Sequence, residues 1–324
     1  IWAWDHCFTA MACSYHMPLR AWDQLMVIFD HQMENGQLPD PISSDHLHTT
    51  YVKPPIHGWT ARKLIEKNAL TDDQLQELYV ILEKWTNFWF NDRDSNNNGL
   101  PEYHHGNDCM DNGTEFDING KAYQFSRWES ANLYAYLVIQ MDVLHDLAVK
   151  FKKPDEAKIW KERSDKLLDL MISRTWNGEK FVTINIEHNT INEKSQSLMA
   201  YMPIILGGKL PIEIRNKLIH DIKFEGYLTD YGLASENPRS PLFEEDGYWR
   251  GAIWAPQTMI IVDGLNQCGE HQLAKEISQK YIDICSNSGF RETHSAINGK
   301  GLRDVSFAWT ASVFLILGNE YLMN

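Results

Sequence analysis

Four short motifs concentrate the residue types that could do chemistry. They are Trp2-Ala3-Trp4-Asp5, Asp108-Cys109-Met110-Asp111-Asn112, Tyr248-Trp249-Arg250-Gly251 with Trp254, and Gly289-Phe290-Arg291-Glu292. An indole face is a flat apolar platform for the C–H face of a sugar ring, while carboxylates and arginine bond its hydroxyls. Two carboxylates on separate loops are also the minimal machinery for cleaving a glycosidic bond. The pattern reads as a sugar-cleaving enzyme.

An acid that protonates a leaving glycosidic oxygen must itself be protonated at working pH, which burial or a neighbouring charge achieves. Asp111, flanked by Met110 and near Asp108 and Glu115, has both influences close in sequence. Asp-Asn-Gly is equally ordinary turn chemistry, so both readings stand. Glu292 lies on a second loop and is the candidate base, with Glu244, Glu245 and Asp246 as rivals or as a solvated acidic run. With inversion, the base activates a water on the far face of the sugar, and the carboxyl pair stands roughly 6.5–9.5 Å apart.

Trp2, Trp4, Asp5, Tyr248, Trp249, Arg250 and Trp254 form the candidate sugar-holding set, against the alternative of core aromatics. Asp94, Asn96 and Asn98, then Gly99 and the carbonyl of Leu100, match the first half of an EF-hand loop. Pro101-Glu102 diverts the chain before the second half, so a distant carboxylate, Glu129, would complete a shell for a structural Ca2+; a plain Asn-rich turn is the alternative. His104 and His105 are adjacent and would point apart, and the histidines elsewhere show no ligand spacing.

These loops need a rigid support, and helical periodicity supplies it. Leu75, Leu78, Leu82, Trp85 and Trp89 share one helix face, opened by Thr71 and Gln74 in capping-box spacing. Leu133, Leu137, Met141, Leu144 and Ala148 form a second stripe, and Leu273, Ile277, Tyr281 and Ile284 a third. Pro154, Asp155 and Glu156 suit a helix start. Residues 7–33 and 304–320 also read as helices. The clearest strand, Phe181 to Ile184, follows the turn Asn177-Gly178 as one arm of a small hairpin. Long loops over 34–58, 91–128, 222–250 and 287–304 hold the candidate chemistry. Paired helices around one axis would make an α/α toroid, and an α-solenoid would share the pattern.

The chain has 324 residues and no Pro- or Ser-rich linker, so it reads as one domain, 1–324. A net charge of −14 argues against nucleic acid and anionic membranes as partners and suits a neutral or cationic substrate, with plain solubility as the alternative; the partner expected from the motifs is a small oligosaccharide or glycoside. Five cysteines, odd in number and without CxxC spacing, argue against a disulfide framework or a zinc site, and Cys7 and Cys13 read as small buried side chains. Unpaired thiols favour a reducing compartment such as the cytoplasm. Ile1-Trp2 runs straight into a motif, which is the expectation for part of a longer chain whose leader, and with it a periplasmic or secreted fate, stays open.

With these residues in view, the chain resembles glycoside hydrolase family 63. Trp2-Ala3-Trp4-Asp5 is similar to that family's Trp-x-Trp-Asp opening, and Gln32 through Pro39-Asp40 to its Gln-x-x-x-Gly-x-x-Pro-Asp. Asp94 to Glu102 resembles its calcium loop, Tyr248-Trp249-Arg250-Gly251 through Trp254 its signature, and Phe307 to Ala311 its closing helix. The resemblance implies an all-α (α/α)6 barrel, lacking some N-terminal elements here, and hydrolysis of an α-glucoside or α-mannoside with inversion. It places the general acid at Asp111, the base at Glu292 and the calcium-completing carboxylate at Glu129, with no organic cofactor. Asp108-Cys109 before Met110, Gly113 after Asn112, and Thr293-His294 after Glu292 depart from the family pattern and bear on the sugar accepted. A sugar epimerase on a similar barrel and a silent carbohydrate-binding protein are the rival readings.

Overall fold

The computed structural model describes residues 1–118, 120–121 and 125–322. Their contacts divide the chain into two compact units, Ile1–Cys109 with Phe125–Thr175, and Met110–Gln124 with Trp176–Asn324.

The first unit carries helices α1 (Asp5–Cys13), α2 (Pro18–Phe29), α3 (His57–Glu66), α4 (Asp72–Asp92), α5 (Ala131–Lys150) and α6 (Pro154–Thr175), with strands β1 (Tyr103–His105) and β2 (Phe125–Glu129). The stretch expected as one helix over 7–33 is two. Met17 adopts a non-helical backbone before Pro18, whose missing N–H suits the first turn of a new helix. In α4 the expected capping box is present, with the Thr71 hydroxyl and the Gln74 side chain each accepting the other's backbone N–H. Its apolar stripe is buried, Trp85 stacking on Phe88 with centroids 5.5 Å apart. α5 is buried on nearly all sides and packs on α3, α4 and α6. Its Gln140 amide accepts from Gly58 N in α3 (3.1 Å) and donates to Thr86 in α4 (2.9 Å). A Cβ at Gly58 would run into the Gln140 main chain, so glycine is what lets α3 and α5 touch. β1 and β2 pair antiparallel, Tyr103 opposite Trp128, inside a region expected to be loop.

In the second unit the expected hairpin is reduced to a Trp176–Phe181 bridge across the Asn177-Gly178 turn, and β3 (Ile184–Asn185) follows it. A 3₁₀ run, Leu198–Lys209, breaks at Gly207 and lies against α8 (Ala255–Gln267) and α7 (Ile212–Phe224). α8 also packs on α9 (His271–Ser288) and α10 (Ala308–Leu317), and β4 (Thr293–His294) pairs with β5 (Gly301–Leu302). The last helix begins four residues later than the expected 304, because Arg303 and Ser306 adopt positive φ. Among the described residues no helix is long and apolar enough to cross a membrane. None of the five cysteines is in a disulfide, and Cys13 is only half-buried where full burial was expected.

Candidate active site

The second unit contains Asp111, Glu292 and the 248–254 motif, and one segment bonds both Glu292 and Asn112, the neighbour of Asp111. Asn112, next to Asp111, uses both ends of its amide on that segment. Its Nδ2 donates to Gly247 O (2.9 Å), and its Oδ1 accepts from Trp249 N (3.0 Å). Its backbone carbonyl accepts from Arg250 Nη1 at 3.3 Å. On the other side, the Tyr248 hydroxyl donates to Glu292 Oε1 at 3.0 Å. Gly251 is required by close approach rather than by its dihedrals, since a Cβ there would strike the Glu244 carbonyl and the Phe243 ring.

Glu292 is placed by backbone bonds on both sides. Its N–H donates to Asp304 O (2.9 Å), the next-but-one residue His294 exchanges bonds with Ile253, and Arg291 O accepts from Thr310 in α10 (2.7 Å). Partial burial raises the Glu292 pKa; the Tyr248 hydroxyl and Asp304 N–H pull it down and the Asp304 charge pushes it up. A half-buried carboxylate of raised basicity suits a general base. Among the described residues, four of the eight non-glycine positions with positive φ lie here: Asp111 (31°), Tyr248 (65°), Arg303 (62°) and Ser306 (58°). Strain of this kind persists where surrounding bonds over-determine the backbone, and it clusters at functional sites.

Arg250, expected to clamp sugar hydroxyls, is already engaged. It forms a two-pronged pair with Asp117 (2.9 and 3.0 Å) and reaches Glu244 at 3.3 Å. Trp249 and Trp254 stack at 3.7 Å with planes 2° apart, and both are buried, with Trp309 edge-on to them. Arg250, Trp249, Trp254 and Trp309 brace the segment, while the Tyr248 hydroxyl is the group directed at Glu292. Sequence reasoning did not find Asp117, Glu236 or the role of Asn112. Thr114 donates to the buried Glu236 (2.7 Å), which also accepts from Ser240 and from Gln196 N. No local pattern marks Glu236, whose partners are brought to it only by folding.

Residues 1–310 match the family described as the mannosylglycerate hydrolase MGH1-like glycoside hydrolase domain. The chain belongs to this glycoside hydrolase family. Mannosylglycerate hydrolase MGH2 of Selaginella moellendorffii is 23% identical over 97% of this chain and 79% of its own length. The mannosylglycerate hydrolase of Thermus thermophilus is 22% identical over 97% and 93%. A solved GH63 mannosylglycerate hydrolase from the same species, in complex with glucose, superposes with a TM-score of 0.82 at 21% identity, covering 97% of this chain and 92% of that one. Neutral trehalase Nth1 of Saccharomyces cerevisiae does so at 0.77 with 15% identity, over 100% and 72%. The fold is therefore the all-α (α/α)6 barrel, as the resemblance implied. Membership makes the chain a glycosidase, and the epimerase and silent-binder readings lose their footing.

The hydrolase's remaining candidate residues lie in the first unit. Trp2 is half-exposed, Trp4 is buried, and Asp5 opens α1. Gln32 donates to Gly36 O (3.0 Å) and Ile81 O (3.1 Å), which shapes the loop after α2. Asp108 is a buried anchor, accepting from Val52 N, His104 N and Arg93 (2.9 Å). His104 lies 3.5 Å from Glu102, and buried His105 accepts from Asn107 N. In the candidate calcium loop Asp94 accepts from Asn98 N and Gly99 N, as the first ligand of an EF-hand does. The oxygens of Asp94, Asn96, Asn98, Leu100 and Glu129 are a donor set of the right chemistry for Ca2+. Glu129 itself is buried, accepting from Asn98 Nδ2 (2.7 Å) and Arg174 (2.5 Å).

The hydrolase's second unit also contains a cavity of about 420 Å³, lined by Glu115, Lys180, Phe181, Asn192, Ser197 and Met199 among others. Neither Asp111 nor Glu292 is among its lining residues, so it is distinct from the carboxylate pair. Burial pushes Glu115 up to about 7; its own N–H and Ser197 oppose this, while Glu236 and Asp117 add to it.

Proposed function

We propose that this glycosidase inverts the anomeric centre of a small α-mannoside or α-glucoside, mannosylglycerate foremost. Asp111 gives its proton to the departing oxygen, and Glu292 deprotonates the water that attacks the anomeric carbon. The observation that carries the assignment is the shared fastening: segment 247–250 holds Asn112 on one side and bonds Glu292 through Tyr248 on the other. Tying Glu292 and the residue next to Asp111 to one segment is one way of holding a constant separation between acid and base. The relatives named as mannosylglycerate hydrolases favour that substrate class. In the second unit Tyr248 offers sugar-facing surface on a segment braced by Trp249, Arg250 and Trp254; Trp2, Trp4, Asp5 and Gln32 of the first unit stay candidate sugar contacts. Because the family match runs unbroken over 1–310, we read the chain as one catalytic domain.

Ca2+ at Asp94, Asn96, Asn98, Leu100 and Glu129 belongs to the same proposal, as a structural ion that would displace Arg174 from Glu129. Chelation by EDTA should then lower Tm, and an unchanged Tm would remove the ion.

Proton NMR of the anomeric signal tests the reaction directly, using mannosylglycerate, glucosylglycerate, kojibiose, nigerose, maltose and trehalose. The β-anomer should appear first, from one α-linked substrate. Initial release of the α-anomer from mannosylglycerate or glucosylglycerate, whose aglycone has no anomeric centre, would refute inversion, and no release from any of the six would refute the substrate class.

A further inference from the structure

The first unit contains three metal-ligating side chains that the sequence does not bring together. His6, Cys7 and His57 are all buried, and one ligand atom from each lies within 4.8 Å of the other two. His57 is separated from the other two by a long loop and a helix, so spacing could not reveal the cluster.

The two imidazoles are set in defined tautomers. His6 Nδ1 lies 3.0 Å from Trp2 O, and His57 Nε2 lies 2.9 Å from Ala3 O. A carbonyl only accepts, so each of these nitrogens carries the proton and the opposite nitrogen presents a lone pair. Both rings are neutral at physiological pH, since burial lowers His57 and takes His6 to about 4. His57 Nδ1 is fully buried and has no hydrogen-bond partner. His6 Nε2 faces Cys7 Sγ at 3.8 Å. Metal-bound histidines are oriented in this way, the far N–H donating to a backbone carbonyl.

We propose that His6 Nε2, Cys7 Sγ and His57 Nδ1 form a three-coordinate site for Cu(I). Thiolate and imidazole are soft to intermediate ligands that suit Cu(I). Metal–ligand bonds of roughly 2.0–2.3 Å in a trigonal plane place the ligand atoms roughly 3.5–4 Å apart, close to the 3.8 Å between sulfur and His6. Charge decides the ion. Binding replaces the thiol proton, which leaves to solvent, by Cu(I), so the thiolate complex is neutral. Zn(II) in the same shell would retain a net positive charge in a dry pocket walled by Phe29 and Trp85, 5.2 and 5.9 Å from the His57 ring. The ion would lock both histidines, and through them the carbonyls of Trp2 and Ala3, beside the Trp-rich motif.

Anaerobic titration of C13S/C268S protein with Cu(I) buffered by bicinchoninate tests this, because that background removes the two half-buried thiols. One equivalent should bind, X-ray absorption should report one sulfur and two nitrogens, and C7S should weaken binding at least 100-fold. Zn(II) should not compete. If C7S fails to fold, the absorption shell of the parent protein decides. No tight copper, copper retained in folded C7S, a four-coordinate shell, or displacement by Zn(II) would each overturn the assignment.

Discussion

Glu115 gives the sharpest test of the electrostatics in the second unit. It is 6% exposed, and its carboxyl is pushed from an ordinary 4.5 to about 7, chiefly by burial. Between those two values the folded protein holds a proton that the unfolded chain has released, so stability falls as pH rises. The stabilisation is complete below about pH 4.5 and gone once pH has passed 7. A shift of this size is worth at most about 3 kcal/mol, because one unit corresponds to roughly 1.4 kcal/mol. Glu115→Gln keeps the shape and cannot ionise. It also relieves Glu236, itself raised by burial, so both effects share a sign. The variant should match the wild type to within about 1 kcal/mol at pH 5. It should exceed it by up to about 3 kcal/mol at pH 8.5. Urea unfolding followed by Trp fluorescence at pH 5, 7 and 8.5 measures this, and the difference between the two proteins cancels groups common to both. A difference that stays flat across the range, or slopes the other way, would refute the reasoning.

Three further predictions concern the candidate active site. Asp111→Asn and Glu292→Gln should each lower turnover by roughly 10²–10⁴ without loss of folding, and near-normal rates in either would remove that residue's role. Tyr248→Phe deletes a bond that lowers the Glu292 pKa, so the acidic limb of the kcat/KM profile should move to higher pH; an unmoved limb would show that Glu292 is not the titrating base. Arg250→Ala leaves Asp117, with 3% side-chain exposure, without its guanidinium, which should cost about 3–5 kcal/mol in urea unfolding and loosen the Asn112 anchor.

The helix stripes were legible because each is written in one continuous stretch: Leu75 to Trp89 and Leu133 to Ala148 form as their periodicity dictates. Local chemistry was legible too, down to the capping box at Thr71 and the first-turn Pro154. The β1–β2 pair was not, because a three-residue strand meets a partner about twenty residues on and neither arm alternates clearly. The identities of Asp111, Tyr248 and Glu292 stood out by residue type. What each touches did not: Arg250 reads in sequence as a clamp for sugar hydroxyls, yet its partner Asp117 is 133 positions away. Trp249 and Trp254 read as platforms, yet they face each other. The cluster of His6, Cys7 and His57 escaped for the same reason.

The anchoring of Asn112 on Trp249 across 137 residues also sets an order of events during synthesis. Segment 110–124 is made early but belongs to the unit completed last. At roughly 5–20 residues per second, the Asp111 turn waits on the order of ten seconds or more for its partner to be translated. Contacts of such long sequence separation also close slowly. Activity should therefore return after helical signal in refolding, and a nascent chain halted before Arg250 should be helical yet silent.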